Sequence, residues 1–206
     1  MNTSSLAASL FEQLQQEGLG PVSQKLGIDE SQARQAIGAA VPLLLAAMGS
    51  NASSPQGAQS LLNALQRDHA PAADRPPPGL GQLLGTVLGG GGGKAGDGAG
   101  ILGHVFGNQT PQAAQVLGRQ AGLDSGKASQ LLTVLAPIVM SYLARRFAQQ
   151  GNASELGEAL GEESRQLGLA GGGIGDLLGG LLDQDGNGRL DAGDLFKLGA
   201  GFLGKR

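Results

Sequence analysis

The chain has 206 residues, enough to bury a core, and it contains no cysteine, which excludes disulfides, thiolate metal sites and cysteine nucleophiles. Its formal net charge of -3 gives no general attraction for a phosphate backbone, so composition disfavours nucleic acid as a partner. Only 15% of the residues are charged, whereas 38 residues are glycine, so small and aliphatic side chains must make most of the packing contacts.

The N-terminal segment lacks the features of a secretory signal. It has no basic n-region, and Glu12 and Gln13 interrupt its apolar residues. The most apolar stretch, residues 131–144, is shorter than the roughly 20 residues that span a bilayer. We therefore expect a cytoplasmic protein without a transmembrane segment, in which this stretch is a buried core helix.

The chain repeats itself at an offset of 95 residues. Residues 26–33 align with residues 121–128 without a gap, and Pro42 aligns with Pro137. In each copy an aspartate, Asp29 or Asp124, follows a glycine by two residues and can accept hydrogen bonds from the first turn of a helix. The repeat therefore predicts a long helix at the same place in both copies.

Apolar residues after each aspartate recur at i, i+3, i+4 and i+7, the spacing of one helix face. The predicted core residues are Ala33, Ala36, Ile37, Ala40, Val41, Leu44, Leu45 and Met48 in the first copy, and Ala128, Leu131, Leu132, Leu135, Ala136, Val139, Met140 and Leu143 in the second. The second helix is also apolar beside this stripe, at Val134, Ile138, Tyr142 and Phe147. We predict that it is the central helix.

Composition divides the chain into four parts. Residues 1–67 form the first helical copy, and residues 68–100 form a linker, rich in Pro and Gly, with a short Gly-Leu helix. Residues 101–170 form the second copy, and residues 171–206 carry a Gly-Leu helix, a polar loop and a terminal helix. Because no segment alternates apolar and polar residues with a period of two, the predicted fold is all-α.

The polar loop, residues 183–194, has the spacing of an EF-hand calcium loop, which supplies oxygens from positions 1, 3, 5, 7, 9 and 12. Gly188 stands at position 6, where the chain turns sharply, and the apolar Leu190 at position 8. The predicted Ca²⁺ ligands are Asp183, Asp185, Asn187, the backbone carbonyl of Arg189, Asp191 and Asp194. The competing interpretation is a turn of Asp and Gly that binds no metal.

The loop closes with Asp194, whereas most EF-hands close with the longer glutamate. In this respect residues 183–195 resemble the calcium loop of bacterial dockerin modules. Those modules carry two such loops and this chain has one, so their scaffold-binding role is not implied. We expect an affinity of about 10⁻⁵ to 10⁻³ M. A single EF-hand lacks its usual pairing partner, so Leu190 either pairs in a homodimer or packs on the helices.

Other motifs favour different functions less strongly. Residues 22–37 have the form of a helix-turn-helix, but the second helix offers only Arg34 as a base, so we expect packing and not DNA reading. His69 and His104 are far apart and match no catalytic spacing, which favours a non-enzymatic protein. Lys197, Lys205 and Arg206 flank the last apolar segment, so peripheral membrane contact is a further, less favoured alternative.

The Leu-Gly-x-Asp turn at 26–29, the long Ala/Leu helix that contains a proline, and the Gly-Leu segment at 79–85 together resemble the bacterial YidB-like family, a domain of unknown function. The resemblance implies a small homeodomain-like helical bundle, present twice here, with one EF-hand loop near the C-terminus. We predict a structural or weakly sensory calcium-binding protein. The alternative is a protein-interaction or helix-turn-helix-like nucleic-acid-binding module in which the loop is incidental.

Overall fold

The computed structural model describes residues 5–17, 19–69, 85, 97–148 and 152–169. These residues form α-helices and helical turns, and no β-strand occurs among them. The chain divides after Ser164 into two compact units, and the first unit contains nearly all of the described residues. The predicted all-helical class is confirmed.

The first half of the described chain contains four helices. The fourth continues as a wider π-helical turn, Leu65–His69. The helices are α1 (Leu6–Glu17), α2 (Gly20–Leu26), α3 (Glu30–Asn51) and α4 (Pro55–Ala64).

The second half also contains four helices. A 3₁₀ turn, Gly107–Gln109, joins its first two helices, and a π-helical turn, Ala144–Ala148, extends the third. Its helices are α5 (Gly98–Phe106), α6 (Thr110–Ala121), α7 (Ser125–Leu143) and α8 (Ala153–Leu169). Helix α5 begins three residues before the predicted boundary at residue 101, because Asp97 caps it by accepting from the Gly100 N–H at 2.9 Å.

The two long helices begin as the sequence predicts. The Asp29 carboxylate accepts from the Gln32 N–H at 2.9 Å, and the Asp124 carboxylate accepts from the Lys127 N–H at the same distance. The preceding helices end at Gly27 and Gly122, with φ of 60° and 63°, the left-handed conformation that glycine adopts without steric strain. Both turns therefore have the same local geometry.

All predicted core residues of α3 and α7 are buried. The added apolar face of α7 is buried at Val134, Ile138 and Phe147, and Tyr142 is half-buried. Helix α7 contacts α2, α3, α5 and α6 and packs more densely on its neighbours than any other described helix, as predicted for the central helix. Helix α3 packs against it and buries Leu43, Ala46 and Ala47 beside its own stripe.

Both central helices are long and apolar enough to cross a membrane by length and composition, over Glu30–Asn51 and Ser125–Phe147. In each, 67% of the most apolar window is buried inside the protein. Core helices of soluble proteins pass the same length and composition test, so this finding is weak evidence for a membrane span.

Helix α8 links the end of the first unit to the beginning of the chain. It lies so close to α3 that a Cβ on Gly49 would stand 2.7 Å from the Leu160 carbonyl oxygen. Its buried Glu163 carboxylate accepts from the Leu6 and Ala7 N–H groups, at 2.9 and 3.1 Å. The first turn of α1 is therefore completed by a residue from the other end of the unit.

Candidate functional site

The predicted calcium ligands lie outside the described residues. They are Asp183, Asp185, Asn187, Arg189, Asp191 and Asp194, and Leu190 lies among them. The Gly-Leu segments of the linker and of the C-terminal region also lie outside, apart from Gly85. Among the residues that the structure does describe, no group of three or more His, Asp or Glu side chains could hold a metal ion.

A cavity of about 620 Å³ lies between α4 and α5. Met48 of α3 and Met140 of α7 are buried and form its floor, and the half-buried Leu61, Ile101 and Val105 form apolar walls. The volume falls within the range of about 300–1,000 Å³ that is common for small-molecule sites. Burial of apolar surface is the main interaction that this cavity offers to a ligand.

Polar groups line the rim of the cavity. Asn51, the last residue of α3, joins that helix to α5, because its amide Nδ2 donates to the carbonyl oxygens of Ala47 of α3 at 2.9 Å and Val105 of α5 at 2.8 Å. Arg67, Asp97 and the exposed His104 complete the rim. His69 ends the π-helical turn after α4, and its side chain is not among those described.

No local sequence motif marks this cavity. Its lining comes from four helices and the turn after α4, and each residue type there is common in a helical core. The two methionines, which fill irregular spaces and adapt to ligands, are its only distinctive floor residues. They are not at matching positions of the sequence repeat, so no local motif marks them.

At the helix-turn-helix-like corner, α2–Gly27–α3, the exposed residues of α3 lie at its beginning. Glu30, Ser31, Arg34 and Gln35 are exposed, whereas Ala36 and Ile37 are buried. The Gln32 amide Nε2 donates to the Gly122 carbonyl of the matching corner at 2.9 Å. Dimeric helix-turn-helix proteins place their two reading helices about 34 Å apart, and these two corners touch.

One acidic group near this corner has a shifted pKa. The pKa of the Asp29 carboxyl is lowered from its usual 3.8, first because Ser31 donates to it and then because the Gln32 N–H donates to it. Both hydrogen bonds favour the ionised form. The shift therefore belongs to the helix cap and not to a catalytic acid.

Comparison with family models identifies one family. The model of DUF937, described as a bacterial protein of unknown function, matches residues 8–146, more than half of the chain. The chain belongs to this family. No curated protein and no solved structure matches it.

The DUF937 match is one stretch that contains both glycine–aspartate corners and ends before residue 183. It covers the capped corners, both central helices and the cavity floor. The predicted calcium loop lies outside the matched region. Membership in DUF937 therefore describes the helical body and gives no information about the loop.

Proposed function

We propose that this DUF937 protein is a non-enzymatic calcium-binding protein with one Ca²⁺ site in residues 183–194. The observation that carries the proposal is the spacing of oxygen-bearing residues. Asp183, Asp185, Asn187 and Asp191 stand at loop positions 1, 3, 5 and 9, and Asp194 closes the loop at position 12. Four carboxylates in twelve residues repel one another, and a divalent cation removes that repulsion.

The proposed role of the ion is structural or weakly sensory. An aspartate at position 12 is one methylene shorter than glutamate, so it must approach the ion more closely to bind through both oxygens. We therefore expect modest affinity, about 10⁻⁵ to 10⁻³ M. At such an affinity the ion stabilises the loop and the segment after it when calcium is plentiful.

Isothermal titration of Ca²⁺ into the full chain tests the site. We expect one site per chain, which Asp183→Ala abolishes and Asp194→Glu tightens, because glutamate reaches the ion more easily. Asp97→Asn is the matched control: it removes a carboxylate outside the loop and keeps a residue that caps α5. Absence of binding in the wild-type chain contradicts the proposal, and a parallel titration with Mg²⁺ measures selectivity.

We also infer that the helical body consists of two copies of one YidB-like, homeodomain-like unit. The offset of 95 residues relates Gly27 to Gly122 and Asp29 to Asp124. These pairs share their left-handed or capping geometry. Fusion of two small units explains why residues so far apart carry the same turn.

Nucleic-acid binding is the weaker alternative. The contact between the two corners and the burial of Ala36 and Ile37 leave little of α3 to enter a groove. Fluorescence anisotropy with a labelled duplex at low salt tests it, since electrostatic binding is strongest there. Saturable binding that Arg34→Ala weakens would favour this alternative over an incidental resemblance.

A further inference from the structure

The contacts between the two halves are reciprocal. The Gln32 amide Nε2 in the first half donates to the Gly122 carbonyl in the second, at 2.9 Å. The Lys127 ammonium Nζ in the second half donates to the Gly27 carbonyl in the first, at 3.3 Å. The offset of 95 residues carries Gln32 onto Lys127 and Gly27 onto Gly122. Each half therefore uses the same donor position and the same acceptor position towards the other.

The helix contacts follow the same exchange. Helix α2 of the first half contacts α7 of the second, and its counterpart α6 contacts α3. The central helices α3 and α7 also contact each other. Each of these contacts is thus matched by the contact between the counterparts.

A third exchange occurs at the far ends of the central helices. Helix α8 packs on the end of α3, where the Ser164 hydroxyl donates to the Ala46 carbonyl at 3.3 Å. In the other direction, the π-helical turn after α4 contacts α7 and its extension, Ala144–Ala148. The last helical element of each half therefore packs on the central helix of the other half.

A two-fold rotation produces such reciprocal contacts, whereas a translational stack does not. In a translational stack, one surface of the first copy contacts a different surface of the second. A residue position that donates a hydrogen bond to the neighbouring copy in one half therefore does not do so in the other half. An isologous interface uses the same patch twice, so that contact i–j is accompanied by contact j–i. The hydrogen-bonded corners and the exchanged helices satisfy this condition.

We propose that the helical body is a fused dimer. The seam, which is the interface between α3 and α7, corresponds to a subunit interface about a pseudo-two-fold axis. The partner of each half is the other half, a second copy of the same unit. Each half occupies the place that an identical subunit takes in a homodimer. The inference rests on the two-copy arrangement of the body and is independent of calcium binding.

Paired spin labels test the axis in the full chain, which has no native cysteine to interfere. A two-fold rotation that exchanges residues 24 and 119, and residues 35 and 130, requires two distances to be equal. These distances are Gln24 to Gln130 and Gln35 to Arg119, and all four side chains are exposed. The samples are the double variants Gln24→Cys/Gln130→Cys and Gln35→Cys/Arg119→Cys.

Double electron–electron resonance is expected to give overlapping distance distributions for the two samples. Two resolved distances overturn the two-fold axis. Circular dichroism of each variant confirms that it remains helical, and a second matched set, Lys25 to Gln130 against Gln35 to Gln120, replaces any pair that unfolds.

Cleavage of the chain between the halves tests the seam as an interface. A protease site inserted in the glycine run at 89–93 of the full chain cuts between the two halves without altering a described residue. We expect the fragments to remain together in one complex with an unchanged helical signal. Separation or precipitation of the fragments after cleavage contradicts a subunit-type interface, whatever the calcium titration shows.

Discussion

Glu163 is a buried carboxylate that closes the first turn of α1 from the far end of the unit. Its removal leaves the Leu6 and Ala7 N–H groups without their acceptor, so we expect Glu163→Ala to lower the free energy of unfolding by about 1–3 kcal/mol. Urea denaturation followed by circular dichroism measures the change. Glu163→Gln, which keeps one oxygen acceptor, should fall between Ala and the wild type.

Glu158 provides the control for this prediction, because it lies on the same helix and is exposed. We expect Glu158→Ala to change the stability by no more than about 0.5 kcal/mol. Equal losses for the two alanine variants would contradict a specific role for the Glu163 carboxylate and would point to a general effect of charge on α8.

Asp29 gives a pH dependence whose sign follows from its hydrogen bonds. The pKa of its carboxyl is lower in the folded chain than the usual 3.8, so its contribution to stability is fully present above that value. The contribution is lost as the pH falls through the lowered pKa of the folded state. We expect nuclear magnetic resonance titration to place this pKa below that of an unfolded aspartate.

Asp29→Asn removes this dependence on pH and keeps a side chain that can cap α3. The variant and the wild type should therefore differ in stability at neutral pH and converge as the solution becomes more acidic. A difference that grows with acidification would contradict the assigned sign.

The packing of α5 requires a close approach to α7. A Cβ on Gly98 would stand 1.8 Å from the Thr133 carbonyl oxygen, so one helix must move to accept a methyl group. We expect Gly98→Ala to lower the free energy of unfolding by about 1–3 kcal/mol, as overpacking does. Thermal unfolding of the full chain measures the loss.

Gly103 lies on the same helix, is exposed, and has no atom within 4 Å of an added Cβ. Because alanine restricts the unfolded chain more than glycine, we expect Gly103→Ala to be neutral or to stabilise by about 0.5–1 kcal/mol. If both variants lose the same stability, the close contact with Thr133 does not account for the loss.

The central helices were predictable because their signals are local. Asp29 and Asp124 mark the starts of α3 and α7, and the apolar spacing marks the buried faces. The wider buried face of α3 was not predicted, because Ala46 and Ala47, which lie on it beside Leu43, are small residues that also occur on exposed helix faces. The cavity and the Glu163 cap were missed because they join segments far apart in sequence, for which a single sequence has no local signal.

The contacts between the two halves predict that both halves unfold in one cooperative transition. Leu44 is fully buried and lies on α3, which contacts α7. Leu44→Ala should remove about 2–5 kcal/mol and expose both halves to hydrogen exchange together. Protection that is lost in residues 5–69 and kept in residues 97–148 would show that the halves unfold separately.

The contact of Glu163 with Leu6 and Ala7 brings the two ends of the helical body side by side. A chain whose ends meet can be reconnected there and opened elsewhere, since domains with adjacent termini tolerate circular permutation. A permutant that joins residue 169 to residue 5 through a short linker and begins in the glycine run at 89–93 should fold to the same helical body. It would carry the second half first, and its folding would show that the order of the two halves along the chain does not determine the structure of the helical body.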